Sequence, residues 1–345
     1  MVLALSPSLR WWFGLALAGA CAGALPQEAG TPPVALDRSD VRARLLRMHD
    51  AASHRNFQGT FVVSAGRTMS SARIAHYCEG GNQFERIDTM DGQLRRVLRR
   101  NEVVHTLWPQ SRVALVEHRE LMGSFPALLR DGDDQVSSSY EMRSQGYERV
   151  ADHEAEVLVL RPKDRQRYAQ RLWAERGTGL LLRVEVLGEH DEVLESSAFS
   201  QVSIGVKPQP EVVTQPMNRL EGYRVLRPTL HATQLAAEGW SLDVPVSGFR
   251  QVQCVKRPFD ADDGAGGHAT EAVQSIYSDG LTSVSVFIEP FDPRRHAAFV
   301  QVATGATQTL SRRVGDAWIT VVGDVPPTTL QAFATALQRV PAKPR

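Results

Sequence analysis

Residues Tyr168 to Leu187 read YAQRLWAERGTGLLLRVEVL, two extended runs around a turn at Gly177-Thr178-Gly179. In the second run Leu180, Leu182, Val184 and Val186 alternate with Leu181, Arg183, Glu185 and Leu187. Alternation of period two between turn glycines predicts a half-buried β-hairpin, with the Leu180 set inward and the Leu181 set outward. A tight hairpin needs positive φ, which glycine adopts without steric cost.

Similar runs extend outward from this hairpin. Strands are predicted at Asn56–Ser64, Met69–Cys78, Gln83–Thr89, Gln93–Arg99, Asn101–Leu107, Arg112–Glu117, Val136–Arg143, Tyr147–Val150, Glu154–Arg161 and Val193–Ile204. A helix precedes them, capped by Asp37 or Ser39, with Val41, Leu45, Met48 and Ala52 on one face. Arg38, Arg42, Arg44 and Arg47 occupy the rest, the pattern of a helix packed on a sheet with a solvated outer side. Leu121–Leu129 (LMGSFPALL) reads as a short apolar plug over the open face. A sheet of about ten strands with short turns must curl. The expected fold is therefore α+β, a large curled antiparallel sheet forming an unclosed barrel with an apolar interior.

Lys207–Pro216 (KPQPEVVTQP) carries three prolines and no periodicity, and reads as a semi-rigid linker over 207–217. Beyond it a short helix at Leu230–Ala237 leads to strands at Phe249–Lys256, Thr270–Ser278, Thr282–Glu289, Ala306–Arg313 and Ala317–Gly323. Pro326-Pro327 open a helix with Leu330, Phe333, Leu337 and Val340 on one face. Two domains are expected, 31–206 and 218–342, the second a smaller antiparallel sheet backed by helices.

Balanced charge, 39 basic against 39 acidic residues, removes any electrostatic argument for nucleic acid. Arg10 precedes an apolar run from Trp11 to Ala24 that is too short to span a bilayer and ends in small residues. Residues 1–24 therefore read as a cleaved signal peptide, cut near Ala24, which exports the mature chain. Lipidation of Cys21 stays open, although Ala18 stands where such sites usually carry a larger aliphatic residue. Cys78 and Cys254 remain after cleavage; free thiols are the favoured state and a bridge between them is the alternative.

No catalytic or metal motif emerges. His153-Glu154 has no second histidine at zinc-protease spacing, and Gly264–Gly267 opens no helix. There is no Cys-x-x-Cys, nucleophile elbow or phosphate loop. The expectation is a non-enzyme without cofactor or metal. What remains is binding: Phe61, Val63, Ile74, Leu180, Leu182 and Val184 are expected to line one apolar space suited to an acyl chain, since each methylene withdrawn from water is worth about 0.8 kcal/mol. The competing reading is that they simply fill a core.

Asn56–Val63 (NFQGTFVV), Arg171–Arg183 (RLWAERGTGLLLR), Tyr277–Pro290 (YSDGLTSVSVFIEP) and Arg313–Pro326 (RVGDAWITVVGDVP) resemble the sigma-E regulatory proteins of the RseB/MucB family. The resemblance runs along the whole mature chain, although Cys78 and Cys254 are not positions associated with the family. It implies a LolA/LolB-like first domain. It also implies a periplasmic negative regulator of the envelope stress response. Such a protein binds the periplasmic segment of a transmembrane RseA/MucA-like anti-sigma factor, shields it from site-one proteolysis, and is released by lipid or lipopolysaccharide. The alternative is a lipid or lipoprotein carrier of the LolA type. Oligomeric state and the partner-binding surface stay open.

Overall fold

Asp37 opens the first helix, α1 (Arg38–His54), by accepting the backbone N–H of Asp40 at 2.8 Å. Its buried face is Val41, Leu45, Met48, Ala51 and Ala52, as the helical spacing requires. The computed structural model describes residues 34–118, 135–259, 270–296 and 299–340. The signal peptide, Cys21, the plug at Leu121–Leu129 and the Gly264–Gly267 loop lie outside the described residues.

Among the described residues, thirteen strands form the first sheet. They are β1 (Val34–Ala35), β2 (Phe57–Ala65), β3 (Thr68–Glu79), β4 (Asn82–Thr89), β5 (Arg96–Arg100), β6 (Val103–Trp108), β7 (Val113–His118), β8 (Tyr140–Val150), β9 (His153–Pro162), β10 (Ala169–Glu175), β11 (Leu181–Leu187), β12 (Val193–Ile204) and β13 (Arg224–Leu226). The order is β1-β8-β9-β10-β11-β12-β2-β3-β4-β5-β6-β7-β13, with β1 and β13 at opposite ends, so the curled sheet stays unclosed. Only β13 on β7 is parallel. The expected strand at Val136–Arg143 begins instead with a short helix, α2 (Gln135–Ser139), and β8 runs on through the expected break at Ser144–Tyr147 as an irregular pairing with β9.

The β10–β11 hairpin departs from simple alternation. Trp173 pairs with Arg183 and Ala174 with Leu181, so Leu182 is an extra, bulged residue. Leu180, Leu181 and Leu182 are all buried, and Leu181 packs with Val41, Leu45 and Met48 of α1. The expectation that Leu181 faces solvent is corrected: the bulge breaks the period, and α1 covers that side. Of the other residues expected outward, Arg183 is half-buried over the Trp173 ring at 4.6 Å, and Glu185 and Leu187 are buried, so that side of the hairpin is not a wet face. At the turn, Gly179 has φ +88°, and a Cβ there would come within 2.7 Å of Arg47 Cγ, so both its conformation and its neighbour require glycine.

Where the prolines suggest an irregular linker, the chain forms a helix instead, α3 (Glu211–Asn218). Val213 and Met217 are buried among Tyr77, Phe84, Leu98, Leu107 and Ala114, so the segment belongs to the packing of the first sheet. An apolar pair four residues apart holds the helix down although Pro216 lies within it.

The second sheet takes β14 (His231–Ala232), β16 (Arg250–Phe259), β17 (Thr270–Ser278), β18 (Ser283–Pro290), β19 (Phe299–Thr304), β20 (Thr307–Val314) and β21 (Ala317–Gly323), in the order β14-β16-β17-β18-β21-β20-β19. β15 (Trp240–Leu242) pairs separately with β22 (Leu337–Arg339). In place of the expected helix at Leu230–Ala237 stand β14 and one 3-10 turn, Leu235–Glu238. Helix α4 (Pro327–Ala336) packs Leu330 and Phe333 on the sheet, with Phe333 edge-on to Phe249 at 5.5 Å. It stops before Leu337, which enters β22, and Val340 is exposed rather than on its apolar face. The described residues from Val34 onward belong to one compact unit.

Candidate functional site

The register of the first sheet builds one wall of a cleft. Val184 pairs with Ser197, Ser197 with Val63 and Val63 with Ser70, a row across four strands on one face. Phe199, Phe61, Ala72 and Thr89 form the next row, and Phe61 meets Phe199 edge-on at 6.2 Å. Ile87 and Val97 continue the apolar surface on β4 and β5. The β17–β18 loop, Gly280 to Ser283, and Asp324 after β21 form the facing wall. Between them lies a cavity of about 480 Å³, within the usual size range of small-molecule sites.

The six candidate residues divide. Phe61, Val63 and Val184 line the cleft. Ile74, Leu180 and Leu182, each at most 2% exposed, lie in the packed cluster that Phe61 shares with Phe57 and Phe199. Val184 belongs to the neighbouring cluster around α1. The polar members of the lining, among them Gln170, Glu195, Ser197, Arg95 and Asp324, were not foreseen. Glu195 and Ser197 alternate with outward residues of β12, but nothing in that sequence says which set faces a cavity. Burial pushes the Glu195 carboxyl above its ordinary range, Asp324 adds to the rise, and the Ala306 N–H opposes it.

A buried polar lock holds the second wall in place. Asp279, fully buried at the tip of the β17–β18 hairpin, accepts from the N–H groups of Leu281 and Thr282 at 3.0 and 2.9 Å. It also accepts Tyr140 Oη at 3.1 Å and Arg167 Nε at 2.5 Å from the first sheet's side. Arg167, itself 1% exposed at the side chain, pairs with Asp164, donates to Ser247 O and lies over the Phe249 ring at 5.0 Å. Burial, then the charge of Asp279, raises the Tyr140 hydroxyl well above its usual range, so it stays a donor. Gly248, at φ +88°, lets this arginine approach: a Cβ there would stand 2.8 Å from both Arg167 Nη2 and Ser139 Oγ. Leu281 completes the junction by packing in the cluster of Tyr140, Leu160 and Val184. The strands expected at Thr270–Ser278 and Thr282–Glu289 imply a turn between them; that it inserts into another sheet's core was not legible.

Among the described residues no cluster of three or more His, Cys, Asp or Glu side chains could hold a metal ion, and no helix is long and apolar enough to cross a membrane. Cys78 and Cys254 are both free thiols.

Fold and cleft together define the class: an α+β protein whose large unclosed sheet is capped by a smaller antiparallel sheet over an apolar cleft. The chain belongs to the MucB/RseB family. The model of the MucB/RseB N-terminal domain matches residues 40–217, and that of the C-terminal domain matches 234–338. The sigma factor AlgU regulatory protein MucB of Pseudomonas aeruginosa is 29% identical over 314 residues, 88% of this chain and 92% of that protein. The sigma-E factor regulatory protein RseB of Escherichia coli K12 is 26% identical over 296 residues, covering 85% and 88%. Among solved structures, the Pseudomonas aeruginosa MucA/MucB complex superposes with a TM-score of 0.66 at 26% identity, over 88% of this chain and 100% of that one. MucB in complex with MucA(peri) gives 0.64 at 27% identity, over 89% and 100%.

Proposed function

We propose that this protein is a periplasmic negative regulator of the envelope stress response. It binds the periplasmic segment of a transmembrane anti-sigma factor, shields that segment from site-one proteolysis, and releases it when lipid or lipopolysaccharide occupies the cleft. The observation that carries the reading is the likeness along both family regions to MucB, a protein whose solved structures include a complex with MucA. The protein acts by binding rather than catalysis, and of its two domains the first extends through α3 and β13, which pack with its sheet.

The lipid step draws support from the cleft. Phe61, Val63, Val184 and Ile87 offer an apolar wall for an acyl chain, while Arg95 at the rim is suited to an anionic head group. The facing wall is the hairpin tip held by Asp279, so an acyl chain thrust into the cleft works directly against the junction between the sheets. A ligand shifts an arrangement only through different affinities for its two states. A cleft bounded by both sheets supplies that difference. The test is a titration of the anti-sigma periplasmic segment against the protein, with and without lipopolysaccharide. Expected is tight binding that weakens on adding the lipid; affinity unchanged by lipid would remove the release step, and absence of binding would remove the regulator reading.

A further inference from the structure

Away from the cleft, the end of α1 meets the β3–β4 hairpin at a cluster of chemically active side chains. His76 is 1% exposed, its ring stacked on Phe57 at 5.1 Å and 9°. Its Nε2 lies 3.6 Å from Cys78 Sγ, and its Nδ1 lies 3.5 Å from Glu85 Oε2 with no hydrogen bond of its own. Glu85 is held in turn by Arg99 at 3.2 Å. Cys78 itself is only half-buried. A cysteine, an imidazole and a carboxylate in line form the arrangement in which a histidine serves a sulfur nucleophile.

We propose that Cys78 is a peroxide-reactive site, with Cys78 as the nucleophile and His76 as the proton donor to the departing oxygen. The Cys78 thiolate attacks one oxygen of a hydroperoxide, forming the S–O bond as the O–O bond breaks. The hydroxide or alkoxide that leaves takes the Nε2 proton of His76 and departs as water or alcohol. Sulfur gives up two electrons, which the peroxide gains, and the product is Cys78 sulfenic acid beside a neutral imidazole.

The state of His76 fits this role. Burial works against its charged form, but the interactions with Cys78 and Glu85 outweigh it and raise the imidazole to about 9, so it carries the proton at neutral pH. The Ser53 carbonyl, at the last turn of α1, accepts from Cys78 Sγ at 3.0 Å and lies 3.4 Å from His76 Nε2, so it sits beside both reacting groups. Gln83 Nε2 donates to the same oxygen at 3.0 Å. Cys254 is the internal contrast, since burial, only partly offset by Ser275, pushes its thiol up.

The experiment exposes the folded full chain to hydrogen peroxide, traps sulfenic acid with dimedone, and reads each cysteine by peptide mass spectrometry. Cys78 is expected to label at least tenfold faster than Cys254 at pH 7. His76→Gln should lower the Cys78 rate at least tenfold, and Glu85→Gln, which leaves the imidazole in place, should lower it less. Should His76→Gln not fold, the wild-type pH profile decides, because the Cys78 rate stops rising as pH passes about 9 and the donor is lost. Equal labelling of the two cysteines, a rate unmoved in folded His76→Gln, or a rate that keeps climbing above pH 9 overturns the proposal.

Discussion

Replacing Asp279 by alanine should loosen the two sheets from one another. Its carboxylate accepts four hydrogen bonds, from Tyr140 Oη, Arg167 Nε and two N–H groups of its own loop, all out of water. Removing one partner of a buried ion pair typically costs about 3–5 kcal/mol, because the other charge is left buried. Arg167 keeps Asp164, which is partly solvated, so the low end, about 3 kcal/mol, applies. With an unfolding entropy of about 2.1 cal/mol/K per residue over roughly 300 residues, that loss lowers Tm by about 5 °C. Calorimetry of Asp279→Ala, Arg167→Met and the double variant checks the size and its cause. The double variant should be more stable than Asp279→Ala alone, since no buried charge is left short of its partner and Asp164, 39% exposed, is solvated. A Tm within 1 °C of the parent for Asp279→Ala, or strictly additive losses, would refute the reasoning.

The cleft and the core beside it respond differently. Leu182→Ala, at a site with no exposure, should cost about 2–5 kcal/mol in urea unfolding, whereas Val63→Ala, at the cleft wall, should cost less yet weaken acyl-chain uptake. Stability should fall at high pH through His76. Its imidazole rises from 6.5 unfolded to about 9 folded, so its contribution, about 3 kcal/mol, is fully present below pH 6.5 and lost as pH passes 9. Urea midpoints of wild type and His76→Gln should therefore converge above pH 9. A truncation ending at residue 206 should aggregate or melt early, because it strips Val213 and Met217 from Leu98, Leu107 and Ala114; one ending at 228, which keeps α3 and β13, should melt higher. Equal melting of the two truncations would show that α3 adds nothing.

Some of this protein was decided along the chain itself. Alternation with glycine turns placed the long run of strands, and Asp37 with Val41, Leu45 and Met48 placed α1, because strand and helix periods and caps are properties of neighbouring residues. The break between the strands at Thr270–Ser278 and Thr282–Glu289 was equally local. Tertiary structure decided the rest. The bulge at Leu182, which spoils the parity of the decisive hairpin, arises from pairing with Trp173 and Ala174 and has no sign in its own sequence. Lys207–Pro216 looked like a linker because its composition is that of one, yet Val213, with Met217 just beyond, finds an apolar surface presented by strands β3 to β7, far earlier in the chain. Phe61, Val63 and Val184 carry the same inward signal as Ile74, Leu180 and Leu182. Which three border a cleft and which three fill a core depends on the second sheet, held where it is by Asp279 and Arg167. Periodicity tells a side chain which way to face; only the packing of distant segments determines whether another atom or an empty space awaits it.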